Sequence, residues 1–345
     1  MTTFGSDVTR ARRARRLGLS LLLLAVLSSG PIYQFAASAY DRYRFPPPGQ
    51  LIDVGGYRLH LNCTGDDSAS LAPTVVLEGG LGAPSLVWVM VQAGLAHHAR
   101  VCSYDRAGYG WSDPGPRPRT GRVIAQELHA LLHIASEAPP YVLVGHSLGG
   151  VFVRLYTAEY PDEVAGLILV DARHEDFFER MPPEYLQTDE ANRRRTQWLT
   201  RLTPLGYTRL AGNVGALDTF ELYLAPLPDA VEEEAWALMI YNSRHWATAL
   251  AEREASEECY RQVRGTKLPE TLPLVVLTAE NGVGAWRAGN APVAESAYAT
   301  WMQLQKEQAA LTSRGQWVIV PHSGHYIYFD QPQAIVDAAL TLLRP

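Results

Sequence analysis

The chain predicts an α/β protein: a mostly parallel sheet flanked by helices, with a helical cap inserted after the sixth strand. Three observations carry this. Short runs rich in Val, Ile and Leu ("TVVLE", "YVLVG", "GLILVD", "LVVLTA") recur between segments of helical spacing. Runs that are apolar on both faces belong to a parallel sheet covered on both sides. Between Ala172 and Lys267 the alternation lapses into a long, charged, aromatic-rich stretch with few strand-like runs.

The elements follow in order. "LIDVGGYRLHLNC" predicts a hairpin turning at Gly55-Gly56. "PTVVLEGG" and "RVCSYD" predict strands on either side of a helix near Leu86–Ala96, and "VIAQELHALLHIA" (Val123–Ala135) has helical period until Pro139-Pro140. The strand "YVLVG" then meets a helix running to Tyr160, stopped by Pro161, and "AGLILVDA" is the sixth strand. After residues 172–267 come the strands "LPLVVLTAE" and "QWVIVPHSGH", a helix near Ala297–Leu311 between them, and a last helix from Pro332 to Leu343. The folded core is thus expected over 51–171 and 268–345, with 172–267 as the cap. A helical excursion at the carboxyl edge of a parallel sheet sits over the ligand crevice.

With 345 residues and 47% hydrophobic content, the chain can bury a full core. Its net charge of −6 supplies no basic surface for nucleic acid. Cys63, Cys102 and Cys259 are too few for a disulfide scaffold and lack zinc spacing. Cys102 reads as a small buried hydrophobe, with one disulfide open to a domain outside the cytoplasm.

The amino terminus is expected to stand apart from the globule. Residues 1–16 form a basic tail ending in "RARRARR", followed by Leu17–Tyr40 without a charge. As a helix those residues would reach ~36 Å, enough for a ~30 Å hydrocarbon core. Arginines ahead of the segment predict a single-pass anchor whose catalytic domain emerges on the extracytoplasmic side. The alternative is a cleaved signal segment and a secreted protein. The proline-rich stretch 41–50 then acts as a stiff linker.

"GHSLGG" raises the chemical question. A serine capping a helix explains the hydroxyl but not the flanking glycines. A strand turning sharply into a helix forces Ser147 into strained backbone angles, and Gly145 and Gly149 leave room for the close approach. A serine nucleophile needs a base, and the base needs an orienting acid. His325, between the last strand and the last helix, can return to the same sheet edge. His322 more plausibly supports that turn, and His146 adjoins the serine too closely. Asp171 ends the sixth strand and is the favoured acid; Glu280 ends the seventh and is the alternative. Two main-chain amides, of Leu148 and of Leu81 in "EGGLGAP", would meet an oxyanion.

At these residues the chain resembles the α/β-hydrolase superfamily, in its serine-nucleophile, esterase- or lipase-like branch. The markers are "VVLEGGLG", "YDRAGYGWSDP", "VGHSLGG" and "SGHYIYFDQP", in that order. The resemblance implies a Ser–acid–His mechanism through an acyl-enzyme, with no metal or organic cofactor. It departs from many members in reading "TAEN" where they have Gly-x-x-Asp, a further reason to favour Asp171. Serine at 147 also separates it from branches that use aspartate there.

The expected function is hydrolysis of an ester or thioester, with the aromatic cap suggesting a mostly apolar small-molecule or lipid substrate. The alternatives are an acyltransferase using the same triad and a catalytically silent, membrane-tethered binding protein.

Overall fold

The computed structural model describes residues 4–65, 72–217, 220, 224, 226–281 and 291–344, with the backbone alone for 4–14, 21–27, 291 and 292. The strands are β1 (Gln50–Asp53), β2 (Arg58–Thr64), β3 (Thr74–Glu78), β4 (Val101–Asp105), β5 (Tyr141–His146), β6 (Val164–Val170), β7 (Leu274–Ala279) and β8 (Gly315–Val320). They form one eight-stranded sheet in the order β1-β2-β4-β3-β5-β6-β7-β8. β1, β2 and β4 pair antiparallel, and every pair from β4 through β3 to β8 is parallel. The predicted hairpin turns where expected, with Gly55 and Gly56 both at positive φ.

Strands β3 to β7 are buried on both faces because alternate side chains feed two separate cores. Val76, Leu143, Leu167 and Val276 face one layer, while Val75, Val142, Ile168 and Val275 face the other. Helix α1 (Phe4–Arg44) precedes the sheet. Helices α2 (Val89–Leu95), α3 (Gly121–Ile134) and α4 (Leu148–Glu159) follow strands β3, β4 and β5. Between β6 and β7 lie α5 (Phe177–Arg180), α6 (Pro183–Leu202), α7 (Tyr207–Asn213), α8 (Asp229–Ala235), α9 (Ser243–Glu254) and α10 (Ser256–Arg264). Helix α11 (Ala291–Ala309) separates β7 from β8, and α12 (Ile327–Asp330) and α13 (Pro332–Leu343) close the chain. Helices α3 and α4 pack together on one face of the sheet, and α2 and α13 on the other.

Two expectations require correction. The transmembrane anchor over 17–40 is not found: among the described residues no helix is long and apolar enough to cross a membrane. The segment belongs to the longer α1, whose second half docks on the helices between β6 and β7. Gly30 lies so close to Leu205 that an added Cβ would meet its carbonyl oxygen at 2.3 Å. Gln34 is buried and donates to the Tyr241 carbonyl at 2.7 Å, and Asp41 pairs with Arg209 at 2.5 Å. Arg44 forks onto Glu233, and Trp111 donates from Nε1 to the Phe45 carbonyl at 2.9 Å. The stretch 41–45 is therefore packed structure rather than linker.

The second correction concerns Cys102. β2 and β4 set it directly opposite Cys63, and the two form a disulfide with Cα atoms 4.0 Å apart. Cys259 is a free, buried thiol, raised to about 12 by burial.

Candidate active site

β5 carries the chain into the sheet's centre, and α4 leaves at once in a new direction. Ser147 sits at that junction with φ 52° and ψ −119°, a conformation that L side chains rarely adopt. It is held by its amide donating to the Val170 carbonyl at 3.1 Å. The neighbouring glycines answer a steric demand. A Cβ on Gly145 would lie 2.5 Å from Val153, and one on Gly149 would lie 2.5 Å from the Gly79 carbonyl oxygen. The elbow can close only over hydrogen atoms.

His325 lies in the turn between β8 and α12, and its loop returns to this edge. Its Nε2 is 3.1 Å from Ser147 Oγ, and its Nδ1 is 2.7 Å from Asp171 Oδ2. Asp171 follows β6 directly, at φ 41°, and is fully buried. Its other oxygen accepts from the Ala279 amide at 3.1 Å and from Trp301 Nε1 at 2.9 Å. Both carboxylate oxygens are thus occupied, which fixes the plane presented to the imidazole. Glu280 is not brought to His325: its Oε2 accepts the His322 amide at 2.8 Å, within the turn that bears the histidine.

His146 supports the same turn from below, donating from Nε2 to the His325 carbonyl at 2.9 Å. Burial, reinforced by the nearby His325, holds it well below its ordinary range and therefore neutral.

The loop after β3 passes over the serine. A Cβ on Gly80 would come within 3.1 Å of Ser147 Cβ, and Leu81 lines the same cavity as Ser147. Leu148, whose amide was the other expected donor, opens α4 immediately after the serine. The loop is clamped by Arg106, a residue sequence reasoning quoted within a motif but assigned no role. Its guanidinium donates to the carbonyls of Gly79 at 2.6 Å and Gly80 at 2.7 Å, and to the carboxylates of Glu78 and Glu252. All three charged side chains are buried. Burial pushes the Glu78 carboxyl up to about 7 despite the opposing pull of Arg106. Glu252 lies on α9, so this buried network ties the helices between β6 and β7 to the serine's loop. No spacing in the sequence links positions 78, 106 and 252.

Ser147 and His325 open into a cavity of about 720 Å³, one wall of which comes from α6 and α9. The lining is mostly apolar, with a cluster of charged side chains set into one wall. Phe220 and Trp246 do line it, but Trp198 and Tyr207 are exposed to solvent, and Tyr223 falls outside the described residues. Arg173, Asp189, Arg195 and Arg253 share the lining. Elsewhere, His129, His133 and Glu163 hold their ligand atoms within 4.8 Å of one another, an arrangement able to take a metal ion, and none of the three lines this cavity.

Residues 73–332 match the family model described as the alpha/beta hydrolase fold. The chain belongs to that family. Among curated relatives, an uncharacterized protein of Schizosaccharomyces pombe is 26% identical over 328 residues, 84% of this chain and 54% of its own length. The chain spans about half or less of the first curated relatives it matches. Among solved structures, a thermophilic esterase from Thermogutta terrifontis is 22% identical, with TM-score 0.55, covering 85% of this chain and 96% of the esterase. An enol-lactonase from Burkholderia xenovorans LB400 is 18% identical, with TM-score 0.57, covering 85% of this chain and 99% of that one. At such identities these likenesses establish the shared fold alone, and the chemistry must be argued from the site.

Proposed function

We propose that the protein is a serine hydrolase that cleaves an ester or thioester through an acyl-enzyme on Ser147. The reading rests chiefly on one observation: a single imidazole spans the 3.1 Å to Ser147 Oγ and the 2.7 Å to the buried Asp171 carboxylate. In this reading Asp171 keeps the proton on Nδ1 of His325, leaving Nε2 to accept the serine proton as Oγ attacks the acyl carbon. The tetrahedral oxyanion forms beside the amides of Leu148 and Leu81, at the amino end of α4. His325 then returns the proton to the leaving alcohol or thiol, and a water repeats the sequence to release the acid. No cofactor enters these steps. The buried Glu280-independent geometry favours Asp171 as the acid, and a serine at the elbow sets the protein apart from the aspartate-nucleophile branches.

A fluorophosphonate probe tests this. Covalent labelling of the full-length protein that disappears in Ser147→Ala is the expected result, together with turnover of p-nitrophenyl butyrate. A folded wild-type protein that takes no label would overturn the assignment. The Cys63–Cys102 disulfide further supports residence outside the reducing cytosol, and trapping of cysteine thiols in intact cells reads its oxidation state.

A further inference from the structure

We propose that the substrate carries an ionised carboxylate, received by Arg253 and Arg173 on the cap wall of the cavity. This rests on the hydrolase reading of the same site and names the class of molecule it takes. Asp189 on α6 holds one carboxylate oxygen, Oδ1, 3.0 Å from Arg173 and 3.0 Å from Arg253. Burial would raise that carboxyl, yet the two arginines outweigh it and hold it below its ordinary range. Two guanidiniums therefore share one negative charge, leaving a net charge of about +1 in a largely buried wall.

The remaining donors confirm where compensation is missing. Arg173 spends a second bond on the Tyr260 hydroxyl at 3.3 Å and lies over the Phe177 ring at 4.1 Å, neither of which carries charge. Arg253 Nε is buried and has no hydrogen-bond partner among the described residues. A buried cation with an idle donor is costly unless something fills it. Nε itself is sealed off, but both arginines line the cavity that contains Ser147 and His325, so the uncompensated charge of the pair can be met there by the substrate. Arg173 also begins two residues after Asp171, with its amide bonded to the Ser147 carbonyl at 2.9 Å. The fork of a guanidinium fits a carboxylate in two parallel bonds.

The test compares each anionic ester with a neutral counterpart of similar shape. Mono(p-nitrophenyl) glutarate against p-nitrophenyl valerate places the charge on the acyl side. Acetoxybenzoate against its methyl ester places it on the leaving side. In one of the two pairs the wild-type enzyme should favour the anion in kcat/KM by roughly tenfold or more, the scale of one charge-assisted contact. Arg253→Gln should bring that ratio to near parity, mainly through KM. Asp189→Asn, which releases both guanidiniums, should raise it. General damage to the fold cannot move the ratio in opposite directions. No anionic preference in either pair, or a ratio unmoved by Arg253→Gln, overturns the proposal. Should no ester be cleaved at all, the hydrolase reading fails, and calorimetry with glutarate still decides the subsite. Saturable binding lost in Arg253→Gln supports it, and binding no tighter than that of the matching diol sinks it.

Discussion

Replacing Arg106 by lysine separates holding the fold together from aiming the loop over Ser147. The guanidinium makes five bonds: two to Glu252 at 2.8 Å, one to Glu78 at 2.5 Å, and one each to the carbonyls of Gly79 and Gly80 at 2.6 and 2.7 Å. An ammonium has three protons on one nitrogen, so at least two of these bonds are lost while the charge is kept. At about 1.5 kcal/mol or more for each bond involving a charged group, the expected loss of stability is about 3 kcal/mol. Losing the carbonyl anchors lets the Leu81 amide, the proposed oxyanion donor, drift. Outright loss of an oxyanion donor costs about 10²–10³ in kcat, so a misaimed one should cost between about tenfold and a hundredfold. Urea unfolding gives the first quantity, and kcat on saturating p-nitrophenyl butyrate gives the second. Arg119→Lys is the control, because Arg119 makes a buried bidentate pair with Glu127 at 2.6 and 2.7 Å and does not touch the loop. It should lose stability without losing kcat. If Arg106→Lys loses stability but keeps kcat within about twofold, the loop is held without the clamp and the positioning argument is wrong.

Three further outcomes follow from the same geometry. Asp171→Asn should lower kcat/KM by about 10³–10⁴, as loss of the orienting acid does, while Glu280→Gln stays within about threefold; equal losses would mean the two carboxylates share the task. Burial would raise Glu175, but the Arg154 pair outweighs it and holds the carboxyl at about 2 against an ordinary 4.5. The stability this pair contributes is therefore complete above pH 4.5 and drains as the pH falls towards 2, by about 3 kcal/mol at most, and Glu175→Gln should flatten that part of the pH–stability profile. Removing residues 1–29 spares the docked half of α1, whereas removing 1–45 leaves Arg209, Glu233 and the Trp111 Nε1 without their partners. The longer deletion should lower Tm by on the order of 5 °C more than the shorter one, and equal values would show that the docking contributes nothing.

How much was legible in the chain differs by element. Apolar runs ending in glycine or an acid located β3, β5, β6 and β7, since a strand buried on both faces has few polar residues to confuse the reading. The sharp change from strand to helix marked Ser147, and chain order marked His325 and left Asp171, the favoured acid, beside Glu280. Hydropathy misread α1, because a charge-free run looks the same whether it meets lipid or another helix. Only the docking of Gly30, Gln34 and Asp41 distinguishes the two. Counting aromatics could not tell which of them line the pocket, since Trp198 and Tyr207 are exposed, nor that Arg173 and Arg253 join Phe220 and Trp246 in its wall.

The sequence by itself determined the layered α/β architecture, the elbow and the identity of its serine and histidine, because period, glycine placement and chain order act over a few residues at a time. Tertiary structure alone decided the partner of His325, the pairing of Cys63 with Cys102, the clamp at Arg106 and the shared carboxylate at Asp189. Each of those joins residues far apart in the chain. Buried charges and thiols choose partners by distance and desolvation in three dimensions, and linear spacing holds no record of either.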